Sequence, residues 1–298
     1  MTEKKFKIIS DSCCDLTEDI VKKLDIDIVS LYVAFGDGKY LRDHVDFTYE
    51  EFYQRMHDNP SDYPKTSLPG IDDYMKAWEP YVKKGIPVMS ISMTSKMSGS
   101  FNSARTAKEE MMEIYPEAEI EVIDSLSLTI LEGLLVYEAC KLRDSGMELG
   151  DAAEKLKSYI PDGRAYFTVA DLSYLSKGGR IGNLVKLAAV GLGIKPVILF
   201  NDGNISLSMI TRSRTKSLKE LGIKCAEYFI NEHENPEDYY VGIAYGFDSE
   251  AAVKVKEAFT ERLEKEGLKS EPSISRLGTM VGAHNGPYLV GIAVLKKH

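Results

Sequence analysis

The sequence predicts an α/β protein of two domains, and three observations lead to this prediction. The chain has 298 residues, more than one domain usually contains. In the first half, short apolar segments of strand composition alternate with segments of helical length. Near Pro161 a hairpin pattern followed by long helices replaces this alternation. We therefore predict an N-terminal domain of α/β/α layers with a parallel sheet (residues 1–162) and a C-terminal two-layer α+β domain (residues 163–298).

The first domain alternates strand and helix signals along its whole length. Thr48 and Glu51 have the spacing of a capping box, so the helix after Thr48 has the clearest start. Strands separated by helices of this length are typical of right-handed βαβ crossovers, which produce a parallel sheet. The predicted strands are residues 7–10, 26–35, 86–91 and 120–123, and the predicted helices are residues 17–24, 48–57, 69–84, 98–115 and 128–141, the last capped by residues 124–127.

The second domain begins with a strand signal and then a hairpin. Asp202 and Gly203 are typical of a tight hairpin turn, and apolar segments flank them on both sides. The predicted strands are residues 164–169, 195–200, 205–210, 240–245 and 289–295, and the predicted helices are residues 183–192, 213–232 and 248–266.

The composition argues against several classes of protein. With 37 basic and 46 acidic residues the net charge is −9, which disfavours non-specific binding to nucleic acid. The apolar segments are too short to cross a bilayer and the first residues lack a signal-peptide core, so we expect a cytoplasmic protein that is not integral to a membrane. The four cysteines lack zinc-ligand or Cys-x-x-Cys spacing, and no metal is expected. Cys140 and Cys225 fit buried apolar positions, whereas a reactive Cys13 stays open.

A dense set of hydroxyl groups marks the junction between strand 86–91 and the next helix. Free N–H groups and the positive dipole end of a helix favour an anion at such a place, and hydroxyls add donors. A single helix cap at Ser98 or Ser100 is the alternative, but one cap needs one hydroxyl. We therefore favour an anion or carboxylate pocket formed by Ser90, Ser92, Thr94, Ser95, Ser98, Ser100 and Ser103.

Three polar junctions should meet at one edge of the parallel sheet. Residues 10–12, residues 90–98 and the pair Asp124 and Ser125 each follow an apolar strand. Ligands of such sheets bind at the carboxyl ends of the strands. Chance convergence stays open, because serine and aspartate cap helices in many proteins.

Further candidates lie outside these junctions. Thr66 and Ser67 stand between two prolines, which favour an extended backbone, although a plain helix cap is the alternative. His284 is in a glycine-rich segment that predicts a loop. A surface histidine without a function is the alternative to a binding role there. The loop with Lys177 and Arg180 either pairs with an anionic group or forms a turn. The sequence contains no Walker A, Gly-x-Gly-x-x-Gly, His-Glu-x-x-His or Gly-x-Ser-x-Gly motif.

Six segments that run in order along the chain carry a resemblance to a known family. They are residues 9–12, 66–69, 91–104, 123–125, 172–181 and 282–287. Together they resemble the DegV family of bacterial fatty-acid-binding proteins. Two positions depart from the family pattern, Leu68 where glutamine is usual and Tyr288 where glycine is usual.

The resemblance implies that a long-chain fatty acid, such as palmitate, stearate or oleate, lies between the two domains. It implies that Thr66 and Ser98 hold the carboxylate, with His284 in the same hydrogen-bond network. It also implies a carrier without cofactor or catalytic residues, which presents the carboxylate to a separate fatty acid kinase that makes an acyl-phosphate. The residues expected to support the site are Ser67, Ser95, Gly99, Asp124 and Ser125.

A surface for the kinase is expected where basic residues gather in this acidic chain. These residues are Arg180, in the Lys177 loop, and Arg212 and Arg214, in the basic segment 211–216. A solvated helix face is the alternative for that segment.

Two other functions stay open. Ser98, His284 and Asp124 are the residue types of a Ser-His-Asp hydrolase, although the nucleophile elbow is missing. A substrate-binding subunit like that of dihydroxyacetone kinases, in which a histidine holds the substrate covalently, is the second alternative. The sequence leaves the acyl-chain length, the identity of the kinase and the oligomeric state open.

Overall fold

The computed structural model describes residues 5–170, 172–184 and 193–298. The strands of this part are β1 (Lys7–Asp11), β2 (Ile26–Val29), β3 (Tyr32–Ala34), β4 (Tyr40–Arg42), β5 (Lys65–Ser67), β6 (Val88–Ser92), β7 (Ile120–Asp124), β8 (Gly163–Thr168), β9 (Lys195–Asn201), β10 (Asn204–Thr211), β11 (Tyr239–Tyr245), β12 (Ser273–Arg276) and β13 (Val290–Lys296). Its helices are α1 (Glu18–Leu24), α2 (Tyr49–Asp58), α3 (Ile71–Val82), α4 (Ser100–Ile114), α5 (Thr129–Asp144), α6 (Leu149–Tyr159), α7 (Ser173–Lys177), α8 (Arg214–Asn231), α9 (Ser249–Glu264) and α10 (Thr279–Asn285).

A four-stranded parallel sheet organises the first half, as predicted. Its strands have the order β2-β1-β6-β7. Trp78 of α3 and Met111 of α4 pack against one face of the sheet. Helices α5 and α6 cover the other face, where Leu135 and Leu156 join Met89 in a buried cluster. The sheet is therefore buried on both sides, which explains the continuous apolar character of its strands.

Residues 26–35 form two strands in different sheets, so the prediction of one strand is wrong. β2 joins the parallel sheet, whereas β3 pairs with β4 and β5 in a three-stranded antiparallel sheet. The chain changes direction at Leu31, whose N–H donates to the buried Ser12 Oγ at 3.0 Å. The apolar composition of the segment gave no sign of this break.

The second half is an α+β unit built on a six-stranded mixed sheet. Its strand order is β10-β9-β8-β13-β11-β12. Phe229 of α8 and Phe259 of α9 pack on one face with Val197 and Ile292. The predicted hairpin joins β9 and β10, and its turn residues Asp202 and Gly203 have φ values of 49° and 69°.

The opposite face of this sheet packs toward the first half. The largest buried cluster contains Ile123 and Leu131 together with Ile198 and Leu295. Because this cluster includes both halves, the domain boundary between residues 162 and 163 stays a prediction. A helix was predicted at residues 183–192. Gly182–Leu184 form a short 3-10 turn at its start, and residues 185–192 lie outside the described residues. Within the described residues, every helix is too short or too polar to span a bilayer.

Candidate functional site

A cavity of about 250 Å³ lies between the parallel-sheet half and the six-stranded sheet. Leu31, Met93 and Leu128 line it from the first half, and Phe200 and Ala293 line it from the second. The polar residues in the lining are Thr66, Ser67, Ser98, Thr129, Tyr166, Arg180, His284 and Asn285. A mostly apolar cavity with a few polar groups suits an amphiphilic ligand.

Thr66 and His284 are brought together on the cavity wall. Thr66 lies in β5 opposite Val33 of β3, so the predicted extended backbone is confirmed. Its Oγ1 is 2.7 Å from His284 Nε2. The alternative role of Thr66 as a helix cap is wrong, because Gly70 is the N-cap of α3. His284 lies in the last turn of helix α10 and not in the predicted loop.

The charge of His284 follows from its surroundings. Burial, and then the positive charge of Arg180, lower the pKa of His284 to about 4, so its ring is neutral near pH 7. Nδ1 is buried and has no hydrogen-bond partner in the part of the chain that the structure describes. In the tautomer with hydrogen on Nε2, the ring donates to Thr66 Oγ1. The threonine O–H is then free to donate to a ligand oxygen.

The close approach of this ring to α7 depends on a glycine. A Cβ at Gly178, just after α7, would lie 2.3 Å from His284 Nδ1. Any other residue there would displace the histidine. Of the two glycines in the Lys-Gly-Gly-Arg segment, Gly178 therefore has a packing role, whereas Gly179 has a φ of 71° in the turn that the sequence indicated.

Ser98 lies on the same cavity, directly before helix α4. Its Oγ is 2.8 Å from Ser100 Oγ and accepts the Ser100 N–H at 3.2 Å. Gly99 is the N-cap of α4, and a Cβ there would lie 2.9 Å from Leu68 Cδ2. Gly99 therefore allows the segment after β5 to pack against the start of α4, which brings Thr66 and Ser98 to one region.

The other hydroxyls of this junction do not form the predicted shared pocket. Among the described residues, Ser98 is the one member of that group of seven that lines the cavity. Ser90, Ser92 and Ser100 are buried, and Ser103 Oγ donates to the Pro69 carbonyl at 2.9 Å. Most of this serine-rich segment therefore serves packing and loop structure.

The three polar junctions do meet at the carboxyl edge of the parallel sheet. Asp11 Oδ2 accepts the Met93 N–H at 2.9 Å, and Asp124 Oδ1 accepts the Ser95 N–H at 3.1 Å. The Ser125 N–H donates to the Ser92 carbonyl at 3.0 Å. These contacts hold neighbouring loops together, so the support that Ser95, Asp124 and Ser125 give to the cavity is indirect.

The predicted cap of α5 is wrong. Asp124 Oδ1 accepts the Leu126 N–H at 3.1 Å, and Ser125 Oγ donates to the Ser127 carbonyl at 3.2 Å. These bonds close a turn before the helix. The N-cap is Leu128, whose apolar side chain accepts no hydrogen bond from the helix N-terminus.

The geometry also disfavours the hydrolase alternative. His284 bonds Thr66, and Asp124 accepts two backbone N–H groups. Ser98 bonds Ser100. The three side chains therefore do not form the hydrogen-bonded series that a Ser-His-Asp mechanism requires.

The three predicted docking arginines have different surroundings. Arg180 is exposed and reaches the cavity, where it donates to the Gly178 carbonyl at 2.7 Å. Arg212 is exposed. Arg214 is half-buried and donates to the Tyr288 carbonyl, and burial lowers the pKa of Arg214 to about 10. Arg214 thus stabilises the loop after α10.

Two carboxyl groups, of the half-buried Asp15 and the buried Asp43, anchor the segment that carries His284. Asp15 Oδ2 accepts the Gly278 N–H at 2.9 Å, and Asp43 Oδ1 accepts the Thr279 hydroxyl at 2.7 Å. These two bonds fix the first turn of α10 to the first half of the chain. Neither aspartate was predicted from the sequence, since neither stands in a pattern that distinguishes it from a surface acid.

Asp11, Cys13 and Glu132 form another buried group, with possible metal-ligand atoms within 4.8 Å of one another. Both Asp11 oxygens accept backbone N–H groups, from Cys13 at 3.0 Å and Met93 at 2.9 Å. Burial raises the pKa of the Cys13 thiol well above its usual value, so the reactive-cysteine alternative is disfavoured. Asp11 therefore serves loop structure.

The apolar lining was also missed. Ala165 and Phe167 alternate along β8, and Gly291 and Ala293 alternate along β13, with their inner faces toward the cavity. The same alternation is typical of residues that pack in a core. The sequence therefore gives no signal that separates a cavity wall from a filled interior.

Comparison with known proteins places this fold and cavity in one family. The model of the family described as "Uncharacterised protein, DegV family" matches residues 5–297. A DegV domain-containing protein of Clostridium perfringens is 31% identical over 292 residues, which are 95% of this chain and 94% of the relative.

Solved structures agree with this result. A stearic-acid-binding protein from Eubacterium ventriosum is 37% identical, with a TM-score of 0.90 and coverage of 98% of each chain. A DegV family protein from Thermus thermophilus, described by its fatty acid binding, is 25% identical, with a TM-score of 0.83 and coverage of 98% of this chain and 99% of the other. The family model and the relatives cover nearly the whole chain, and the chain belongs to the DegV family.

Proposed function

We propose that this protein binds a long-chain fatty acid in the cavity between its two halves. The observation that carries the proposal is an apolar cavity with the Thr66–His284 pair on its wall. The similar protein from Eubacterium ventriosum, described as stearic-acid-binding, supports it. Palmitate, stearate and oleate are the expected ligands.

The apolar wall supplies most of the binding free energy in this proposal. A sixteen-carbon acid has ~14 methylenes, and burial at ~0.8 kcal/mol each gives roughly 11 kcal/mol before ordering costs. Hydrogen bonds to a carboxylate contribute about 1.5–3 kcal/mol each. The polar groups therefore mainly set the position of the head group.

The carboxylate is proposed to lie at Thr66, Ser98 and His284, with Ser67 beside them. Hydroxyl donors hold a carboxylate without covering both of its oxygens. Arg180 adds positive charge where the cavity meets the surface, since it is exposed and also contacts the lining. This arrangement leaves the head group accessible to a second protein.

We propose further that the protein is a carrier without a cofactor, acting in the cytoplasm. It presents the carboxylate to a separate fatty acid kinase, which forms the acyl-phosphate. Arg180, Arg212 and Arg214 belong to the proposed docking side, with Arg214 acting through the Tyr288 loop. Arg212→Glu should slow acyl-phosphate formation by the kinase and leave palmitate affinity unchanged, and an equal rate for both proteins would remove Arg212 from the docking surface.

The binding proposal is tested by mass spectrometry of an organic extract of the purified, denatured protein. We expect about one long-chain fatty acid per chain. A protein that holds no fatty acid, and that binds none in calorimetry after delipidation, would contradict the proposal.

The head-group assignment is tested by Thr66→Ala and Ser98→Ala. Each substitution should weaken palmitate binding by about 1.5–3 kcal/mol, because one hydrogen bond to the carboxylate is lost. The double variant should bind more weakly than either, as measured by calorimetry. Ser103→Ala, which loses a hydroxyl bonded to the Pro69 carbonyl outside the lining, is the control. Parent-like affinity in the double variant would show that the carboxylate lies elsewhere.

A further inference from the structure

One end of the cavity lies where the first turn of α5 meets the six-stranded sheet. Ile130 lines the cavity there and packs over Gly242 of β11. A Cβ at Gly242 would lie 2.8 Å from Ile130 Cγ2, closer than real Cβ atoms approach their neighbours. Ile130 therefore rests directly against the backbone of the sheet.

The register of the sheet places this contact away from His284. β13 starts soon after α10, and the cavity lining continues along it from Leu289 through Gly291 to Ala293. Four residues of strand correspond to about 13 Å. Ala293 pairs with Gly242, so Ile130 covers the row that is farthest along this wall.

The next row of the sheet closes the cavity floor. Leu295 of β13 pairs with Tyr240 of β11 and with Gly163 of β8. Leu295 is fully buried, and neither Leu295 nor Tyr240 belongs to the lining. The lining of the floor therefore ends at the row that Ile130 covers, because Leu131 covers Gly163 in the next row.

Helix α5 has little freedom to move Ile130 aside. A Cβ at Gly133, one turn later, would lie 2.6 Å from the Cys14 carbonyl, so the helix packs closely on the first half. Thr129, just before Ile130, has φ of 55°, a left-handed conformation that a β-branched residue adopts only under constraint. The start of α5 is thus fixed on both sides of Ile130.

We propose that Ile130, backed by Gly242, is the end stop that sets the longest acyl chain the cavity accepts. The inference rests on the proposed function, because it assigns the terminal methyl of the fatty acid to this end. Acids longer than the limit would have to displace Ile130 or leave methylenes in water.

The test measures affinity for saturated fatty acids that increase in two-carbon steps. Ile130→Ala removes three carbons and should move the limit about two carbons higher, which raises affinity for the first acid beyond the parent limit roughly tenfold. Gly242→Ala should move the limit lower, because its Cβ pushes Ile130 into the cavity. In the Ile130→Ala background Gly242→Ala should have little effect, since the contact is gone.

Ile210→Ala is the matched control, because it removes the same atoms from an exposed side chain that is outside the lining. Ile130→Val provides a milder change in case the alanine variant folds poorly, and it should shift the limit in the same direction. An unchanged limit in the folded Ile130 variants, with fatty acid bound by the parent, overturns the end stop and leaves the proposed function intact. If the parent binds no fatty acid of any length, the proposed function itself fails.

Discussion

His284 is neutral near pH 7 because burial, and then the positive charge of Arg180, lower its pKa to about 4. A neutral ring holds Thr66 through Nε2 without forming an ion pair with a carboxylate. In the proposed complex, the ring would therefore leave the carboxylate available for a later reaction.

We predict that fatty acid binding raises the pKa of His284. A carboxylate beside the ring stabilises the protonated form, so the titration midpoint should move up from about 4. NMR titration of the ring protons with and without palmitate measures this change. His298, which stacks on Tyr159 outside the cavity lining, is the control and should titrate identically in both samples. An unmoved His284 midpoint in the saturated protein would place the carboxylate away from the ring.

Glu132 gives a second prediction at this scale. Burial, and then the nearby Asp11, raise the pKa of Glu132 well above its usual value. The folded protein therefore keeps a proton that the unfolded chain releases above about pH 4.5, and the free energy of unfolding falls as pH rises. One such group changes it by up to about 1.4 kcal/mol per pH unit.

Glu132→Gln, which copies the shape of the neutral acid, should flatten this pH dependence between pH 5 and 7. Urea unfolding at several pH values measures it. Glu18→Gln is the matched control, because Glu18 is exposed and pairs with Lys22 on the surface. Parallel profiles for the parent and Glu132→Gln would mean that Glu132 is ionised in the folded protein.

At the scale of secondary structure, the sequence predicts an element correctly where one short pattern decides its conformation. The capping box of Thr48 and Glu51 forms as predicted, and so does the Asp202–Gly203 turn. The segment 26–35 failed because a tertiary bond at Leu31 breaks the strand.

The glycines near His284 misled the prediction for a physical reason. Gly282 allows close contact with Tyr53, whose Oη would lie 2.4 Å from a Cβ at that position. The residue therefore serves helix packing, although glycine usually indicates a loop. Single-sequence patterns do not separate these two uses of glycine.

The candidate site could be predicted only in part from the sequence. Thr66, Ser98 and His284 line one cavity, and their role in carboxylate binding stays a prediction. Asp15 and Asp43 anchor α10 through contacts with residues more than two hundred positions away. Such long-range partners leave no local pattern.

The β9–β10 hairpin leads to a prediction about the contact between the halves. Gly203 has φ of 69°, and a Cβ there would lie 2.5 Å from Thr94 Oγ1. Gly203→Ala should lower the free energy of unfolding by about 2 kcal/mol, from backbone strain and this contact together.

Gly38→Ala separates the two causes. Gly38 has φ of 72°, and no atom of the described residues lies within 4 Å of its Cβ position, so its replacement tests strain alone and should cost about 1 kcal/mol. Urea unfolding of the two variants and the parent measures both losses in the free energy of unfolding. Equal losses in the two variants would show that the hairpin tip yields easily to the added methyl group.

For the whole molecule, the shared interior links the two halves. Ile123 and Leu131 of the first half are in one buried cluster with Ile198 and Leu295 of the second. Unfolding of either half would expose apolar surface on the other, which favours a single transition. A ligand held between the halves should strengthen this link.

We predict that both halves unfold in one transition, and that palmitate moves the urea midpoint of this transition upward by the same amount in every signal. The chain has one tryptophan, Trp78, which is buried in the first half, so its fluorescence follows that half while circular dichroism follows the helices of both. The two signals should have the same urea midpoint.

Free palmitate at about one hundred times its Kd should add about 2.7 kcal/mol to the free energy of unfolding. Hexadecanol at the same free concentration, which has the chain length of palmitate but lacks the carboxylate, is the ligand control and should stabilise less. Separate midpoints for tryptophan fluorescence and circular dichroism would show that the shared cluster does not couple the halves, and a ligand shift in one signal alone would assign binding to a single half.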